Sequence, residues 1–559
     1  MDELEPDSDF RSSITLIDVP VSLLALQVPN TGANHQQSNR YCYNDGYHTS
    51  HHLNPLRHWR EHPVAFLAQK KQYSDEHALV FYNIDYMMLT HPLLSVVYFD
   101  TPVNEHSRNR VLTSVCRNAR GVRYTIPMPG NPIADKIGEG KPENQMNAHP
   151  YLFARIVQTL DMNQAGYFEE CLKLPNALKF MTVKPTTGRP VVVAGLREHI
   201  FTHSLSSSAY FMSQQEYLFG TMWQRIMASP LRVRMHYGHP DIFDKVFMMT
   251  RGGTAKASAV VNVSEDIFAG FTAALRGGES EHIEFMQMGK GRDVGMLQIE
   301  VFESKISGGT GMSMTTRDSF RIFEGMDFAR VLSFYHSCGG FYISNLLIVL
   351  SFISTLYYLC SMALTGLDRA VLASNRIYLL GEVNALQWFV QLGLLSVIPL
   401  ATLYALESGI LAAIWRTVAM LLTFSPVFFM FEIQTKAYFY DAALTFGRQC
   451  YMGTGRDFVI RHLSFDEIYR SAALSHIYLG MEALGLIILA TAFGSFQSVT
   501  SYMFFFISGW LFTLSLVFGA FWFNPFALEF KFVRKDAGAW WRWLVTDSHD
   551  ANASWEAWY

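Results

Sequence analysis

Charge is scarce in this chain. Only 16% of its 559 residues are Asp, Glu, Lys or Arg, where about a quarter is usual in a soluble protein. There is no basic stripe, and a formal net charge of −4 argues against a nucleic-acid binder. Cys42, Cys116, Cys171, Cys338, Cys360 and Cys450 form no CxxC pair and read as reduced thiols, not as a disulfide frame. The opening MDELEPDSDF is acidic and lacks a basic region followed by an apolar core. No cleavable signal is visible, so membrane insertion falls to later segments.

What the chain has in place of charge is apolar residues, 50% of the total, and aromatics at 14%. They are unevenly placed. Residues 1–60 are poorly patterned, and His48, His51 and His52 read as part of a polar surface segment more readily than as metal ligands. Within 61–335 the pattern is mixed. HPLLSVVYFD (91–100), VRYTIPMPG and RPVVVAGL read as strands, and YFMSQQEYLFGTMWQRIMA (210–228) has helical spacing. Strands alternating with helices predict an α/β domain with a mostly parallel sheet covered on both faces.

Residues 336–530 form the hydrophobic region. Phe341–Leu364 is long enough to cross ~30 Å of hydrocarbon. Val383–Leu406, His476–Gly494 and Val499–Phe523 are three further predicted spans. Gly409–Met430 is apolar but carries Arg416 and Pro426. Placing it in the interface leaves the basic connection 431–475 and the tail 531–559 on the same, cytosolic side as 61–335. The expectation is four spans plus interfacial helices, Trp540 and Trp541 suiting an interface.

Several motifs could carry chemistry. In GEGKPENQ (138–145), Lys141 suits phosphate, while Asn144 and Gln145 suit hydroxyls or a base edge; the bland alternative is a polar turn. Asp161 follows the apolar run IVQTL, as a carboxylate at a strand end does, or it simply begins a turn. VNVSEDIFAG places Glu265 and Asp266 together after a β-branched run. Neighbouring like charges disfavour joint ionisation, which suits one of them as a general base; a capped helix start is the competing reading. MGKGRDVG brackets Lys290 and Arg292 with glycines, fitting a departing diphosphate or else a solvated loop. HYGHPD offers His236, His239 and Asp241, read as acceptor-site or structural residues since no further metal ligand is evident. TTRDSFRIFEGMDFARVLSFY (315–335), with Arg317, is amphipathic and either lies on the membrane under the site or is a plain linker. The only Asp-x-Asp is Asp7-Ser8-Asp9, so the acidic metal motif common in nucleotide-sugar transferases is missing from the core.

Taken together, GEGKPENQ, LDMNQAGYFEECLK, REHIFTHSLSSSAYFMSQQE, RVRMHYGHPDIFDKVFMMTRGG, SEDIFAG, GKGRDVG, TTRDSF, QTKAYFYDAALTFGRQCYMGTGRDFVIRH and FWFNPFALEF closely resemble the 1,3-β-glucan (callose) synthases of glycosyltransferase family 48. The resemblance runs from about Leu89 to Trp543. It implies a GT-A-like catalytic domain on the cytosolic face of the plasma membrane. UDP-glucose would be the donor and a linear β-1,3-glucan the extruded product, made by one inverting displacement. In that scheme Asp266, or Glu265, deprotonates the acceptor 3-hydroxyl. Lys141, Asn144, Gln145 and Asp161 hold the donor, and Lys290 and Arg292 stabilise departing UDP. The resemblance requires no certain cofactor and leaves open a divalent cation such as Mg2+. It allows a regulatory small GTPase, usual in fungal relatives, or other synthase subunits as partners.

Two departures are evident. Met146 and Asn147 stand where the family pattern reads Asn-His, and the family's proteins are several times longer. The chain is therefore also readable as a fragment or a catalytically impaired paralogue serving a full-length synthase. A transporter is disfavoured because the polar constellations precede the spans. A cellulose- or chitin-type synthase is disfavoured because Gln-x-x-Arg-Trp is absent.

Overall fold

The computed structural model describes 15–16, 31–33, 61, 64–65, 68, 79–81, 95–100, 113–118, 121–127, 148–152, 154–160, 164–166, 168–182, 188–236, 241–251, 265–374, 394–447, 463–494, 499–524, 526 and 529–545. It divides into two compact units, 1–197 with 232–288, and 198–231 with 289–559. Residues 198–231 and 289–335 cluster with the helices that follow.

In the first unit, β1 (Thr15–Leu16), β4 (Ser95–Asp100), β5 (Thr113–Asn118) and β6 (Gly121–Pro127) make one sheet, and β2 (Thr31–Ala33) pairs with β3 (Leu79–Phe81). The other sheet runs β7 (Ile156–Gln158), β10 (Ile242–Asp244), β9 (Val191–Ile200), β11 (Glu279–Lys290), β8 (Gln164–Ala165). The strands expected in SVVYFD, VRYTIP and VVVAGL are all present. Their pairing corrects the sequence reading in part. β1 with β4, β4 with β5, β5 with β6, β7 with β10 and β9 with β10 are antiparallel, while β2 with β3 is parallel and the bonds from Glu279 N–H to Pro190 O at 2.9 Å and from Phe201 N–H to Lys290 O at 3.2 Å set β9 and β11 side by side in parallel. The reason is local for β5 and β6. Asn118 pairs with Gly121 across a tight turn, whereas parallel neighbours need a crossover of a dozen or more residues.

The continuous apolar run of β9 has an equally direct cause. Val191, Ala194 and Leu196 pack with Ile242, Ile283 and with Ala177 and Met181 of α1 (Leu174–Thr182). Val192 and Val193 pack with Phe243, Met248 and with Ala269 and Ala273, residues of the helix Glu265–Leu275. Each fully buried valine or leucine contributes roughly 1.5–3 kcal/mol.

Beyond α1, the helices used below are α2 (Ser207–Tyr217), α3 (Glu265–Leu275), α4 (Met296–Met314), α5 (Arg317–Gly325), α6 (Phe328–Tyr335), α7 (Phe341–Thr365), α8 (Leu394–Ser408), α9 (Ile410–Leu422), α10 (Ser425–Phe446), α11 (Tyr478–Phe493) and α12 (Val499–Trp522). All except α1 and α3 lie in the second unit. Helix 210–228 forms as expected, with a π-helical stretch at Leu218–Trp223 between its α-helical parts. Residues 315–335 form α5 and α6, capped by Thr316 and Asp327.

Among the described residues, two helices are long and apolar enough to cross a membrane, Phe328–Thr365 and Glu467–Phe493, or three if α9 and α10 count as one bent span. The four-span expectation is not reproduced among these residues. Val383–Leu406 begins outside them, and its described part, α8, has only 15 residues with Pro399 inside. Val499–Phe523 is helical as α12, whose apolar part among the described residues is the shorter Ile507–Trp522. The first span starts earlier than Phe341, since α6 and a π-turn at His336–Gly340 run straight into α7.

The segment Gly409–Met430 is two helices meeting at 73°. Gly409 at φ +88° separates α8 from α9, and Phe424 at φ 57° separates α9 from α10. Pro426 sits in the first turn of α10, where its missing N–H costs nothing. On α9, Ile410, Leu411, Ile414, Trp415, Leu421 and Leu422 are exposed, a stripe suited to an apolar medium.

Helix α4 carries small residues against α10. A Cβ on Gly311 would lie 3.0 Å from Ala443 Cβ and 3.1 Å from Tyr440 O, so the two backbones approach closely. Alongside them, the Glu300 carboxylate accepts from Ser475 Oγ at 3.4 Å. Ser475 in turn meets His476 Nδ1 at 2.7 Å. Burial pushes the Glu300 carboxyl from about 4.5 up to about 7, against the Ser471 and Ser475 hydroxyls, which favour the anion. A carboxyl whose folded pKa is raised stabilises the fold fully below the unfolded value, and this stability is lost as pH climbs through the folded value. Between pH 4.5 and pH 8 the loss is about 3 kcal/mol. Thermal unfolding of Glu300→Gln should show a flatter pH dependence than wild type over that window, and an unchanged slope would place the buried proton elsewhere.

Candidate active site

The GKGRDVG loop leaves the end of β11 at Lys290 and enters α4, whose N-cap is Gly295. It is held by the HIFTHSLSSS segment. Phe201 N–H donates to Lys290 O at 3.2 Å. Thr202 Oγ1 accepts from Arg292 N–H at 2.9 Å and donates to Arg292 O at 3.2 Å. Ser206 and Ser208 hydroxyls donate to Val294 O at 3.1 and 3.2 Å. Two motifs that are 80 or more residues apart thus form one unit.

Within this loop, Lys290 and Arg292 point inward. Lys290 is 3% exposed, its Nζ 2.6 Å from Glu216 Oε1 and 3.1 Å from Glu198 Oε1. Arg292 is 2% exposed, its Nε 3.2 Å from Glu216 Oε2 and its Cζ 4.2 Å from the centre of the Phe302 ring. Burial works against the Arg292 charge, but Glu216, Asp293, Glu303 and Glu198 together outweigh it and raise its pKa. Burial likewise lifts the Glu198 carboxyl well above the usual range; Lys290 opposes this and Glu216 adds to it. Neither cation is a solvated loop residue, because the sequence supplies carboxylates from β9 and α2. The signal lay in plain view as Glu198 in the apolar run VVVAGLREHI and Glu216 in YFMSQQEYLFG. Gly220 is part of the arrangement, since a Cβ there would lie 2.4 Å from Glu198 Oε2.

In the first unit, RVRMHYGHPD is organised by a buried ion pair. Arg234 Nε and Nη2 each donate to Asp241 at 2.7 Å, with side chains 2% and 0% exposed. Asp241 is thus held in a buried ion pair. His236 beside it is 6% exposed. The guanidinium lies across Gly195, where a Cβ would come within 2.1 Å of it. Gly270 of SEDIFAG packs α3 directly on this segment, a Cβ there falling 1.9 Å from Arg234 O. Backbone cannot rotate away as a side chain can. Gly270→Ala is expected to cost at least the 1–3 kcal/mol typical of overpacking, about the upper end of that range, read as a lower unfolding midpoint. A wild-type midpoint would mean that α3 shifts freely.

Glu265 and Asp266 open α3, so their motif is a helix start, with Asp266 half-buried in the first turn. Helix N-termini favour anions, as these two carboxylates are. Arg317 is exposed at the first position of α5. Lys141, Asn144, Gln145, Asp161 and His239, the Glu265 side chain and the run before Glu265 lie outside the described residues.

A family model for the 1,3-beta-glucan synthase component matches residues 60–559. Callose synthase 7 of Arabidopsis thaliana is 41% identical over 504 residues, covering 88% of this chain and 26% of that protein. Callose synthase 9 of the same plant is 41% identical over 445 residues (78% and 23%), and callose synthase 3 is 40% identical over 510 residues (85% and 25%). The chain spans about a quarter of the length of the curated relatives it matches. With the family matched over nearly all of its length, this chain belongs to the 1,3-β-glucan synthase family.

Proposed function

We propose that the chain carries the catalytic part of a processive, inverting glucosyltransferase that extends a (1→3)-β-D-glucan from UDP-glucose. The observation that carries this reading is the family match together with an intact SEDIFAG helix start, with Asp266 at the first turn of α3. In the proposed step the acceptor 3-hydroxyl oxygen attacks the anomeric carbon, the bond to UDP breaks, and Asp266 takes the hydroxyl proton. Inversion follows from a single displacement on an α-linked donor. Lys141, Asn144, Gln145 and Asp161 are assigned to the donor. Lys290 and Arg292 are assigned to the side where UDP departs, held in place by Glu216 and Glu198.

The same reading puts a GT-A-like domain on the cytosolic face of the plasma membrane, with four spans and extrusion of the product. The two to three apolar helices and the exposed stripe of α9 support a membrane setting. A second reading, an impaired paralogue partnering a full-length synthase, is favoured by Met146 and Asn147.

The test is incorporation of labelled glucose from UDP-glucose by detergent-solubilised membranes holding this chain, with digestion of the product by a β-1,3-specific glucanase. Digestible polymer establishes the enzyme. UDP-glucose binding without polymer means a catalytic piece that needs the rest of a longer synthase, and no binding of UDP-glucose removes the donor assignments and supports the partner reading.

A further inference from the structure

We propose that Glu303, held by Lys436, is a positioning residue that ties the GKGRDVG loop to helix α10. The functional weight of this rests on the donor-side reading of that loop; the structural part does not.

The argument begins with Arg292. Its guanidinium lies on the ring of Phe302, and Glu303, the next residue of α4, is among the carboxylates whose charge acts on it. Glu303 Oε2 lies 3.5 Å from Lys436 Nζ, and that nitrogen lies 2.7 Å from Glu432 Oε1. Lys436 also sits 5.3 Å from the centre of the Phe341 ring, so α4, α7 and α10 all fix it. Ion pairs therefore run through Glu198, Lys290, Glu216 and Arg292 and again through Glu303, Lys436 and Glu432, the charge of Glu303 also acting on Arg292. None of the seven is more than 6% exposed.

A contact meant only to hold two helices together is made more cheaply by apolar side chains, because each buried ion loses its hydration. Here the apolar alternative is at hand. Gly311 and its small neighbours already bring α4 and α10 into close contact. What the ions add is register. The loop cannot shift against α10 without leaving one charge buried and unpaired, a cost that a sliding apolar contact does not impose. Burial raises the pKa of the Glu303 carboxyl and Glu432 adds to this, while Lys436 and Arg292 favour the charged form.

The experiment is amide hydrogen exchange on the full chain in detergent, comparing wild type with Glu303→Gln, Lys436→Met and Lys436→Arg. Glu303→Gln and Lys436→Met should speed exchange in 289–295 by about ten-fold, leaving α11 unchanged. Lys436→Arg, which keeps the charge, should stay near wild type. Equal acceleration all along α4 and α10 would mean a merely structural contact and overturn the proposal, as would no change in 289–295. Where wild type makes glucan, Glu303→Gln should raise the KM for UDP-glucose more than it lowers kcat. A wild type that makes none counts against the proposed function alone, because the exchange measurement still decides the positioning role.

Discussion

Asp266→Asn should lower glucose incorporation from UDP-glucose by roughly 100- to 10,000-fold, the range for removing a general base. Asparagine keeps the size and one oxygen of the side chain but cannot accept the proton of the acceptor hydroxyl. The substitution lies in the first turn of α3 and leaves Gly270, the close-packing position of that helix, untouched. The fold should therefore survive, and UDP-glucose binding should stay near wild type because the loss belongs to the displacement step. Glu265→Gln is the companion variant. A larger loss there than at Asp266 would move the base by one residue. Full activity in both variants would remove SEDIFAG from the chemistry.

Asp241→Ala should cost the first unit about 3–5 kcal/mol, the usual result of stripping one partner from a buried ion pair. Two charge-assisted hydrogen bonds of 2.7 Å are lost, and the Arg234 guanidinium is left 2% exposed with its counter-ion gone. The neighbourhood offers little relief, because Gly195 and Gly270 are already filled against this segment. Removing both charges at once, as Arg234→Met with Asp241→Leu, should recover most of the loss, since apolar pairs of similar volume are often neutral or better. The readout is the unfolding midpoint together with proteolytic susceptibility of 232–288. A small effect of Asp241→Ala would mean that water reaches Arg234. A large effect that the double variant does not recover would point to a role for the charges beyond pairing.

Both predictions concern motifs first visible as letters in the sequence, and they show where reading letters succeeds. The strands in SVVYFD, VRYTIP and VVVAGL and the helix across 210–228 were legible because each depends on residues close together in the chain. The change to long apolar helices after Gly339 was legible for the same reason. Glu265 and Asp266 open a helix, as a capped first turn allows, and the run before them lies outside the described residues.

The sequence by itself determined the family, the order of the mixed and hydrophobic regions and most local elements, because motif order and hydrophobic periodicity are properties of the chain. Tertiary structure alone decided how these parts pair. It set the antiparallel partners of β4, β5, β6, β9 and β10. It split Gly409–Met430 at Phe424, where the backbone takes a left-handed turn that no apolar count reveals. Above all, it turned Lys290 and Arg292 from apparent loop cations into interior ones. Their partner Glu216 lies 74 residues before Lys290, and Glu303 of α4, whose charge acts on Arg292, meets Lys436 of α10. A charge buried in low dielectric must find its counter-charge wherever the fold brings one, and that distance in space is not written in the spacing of the sequence.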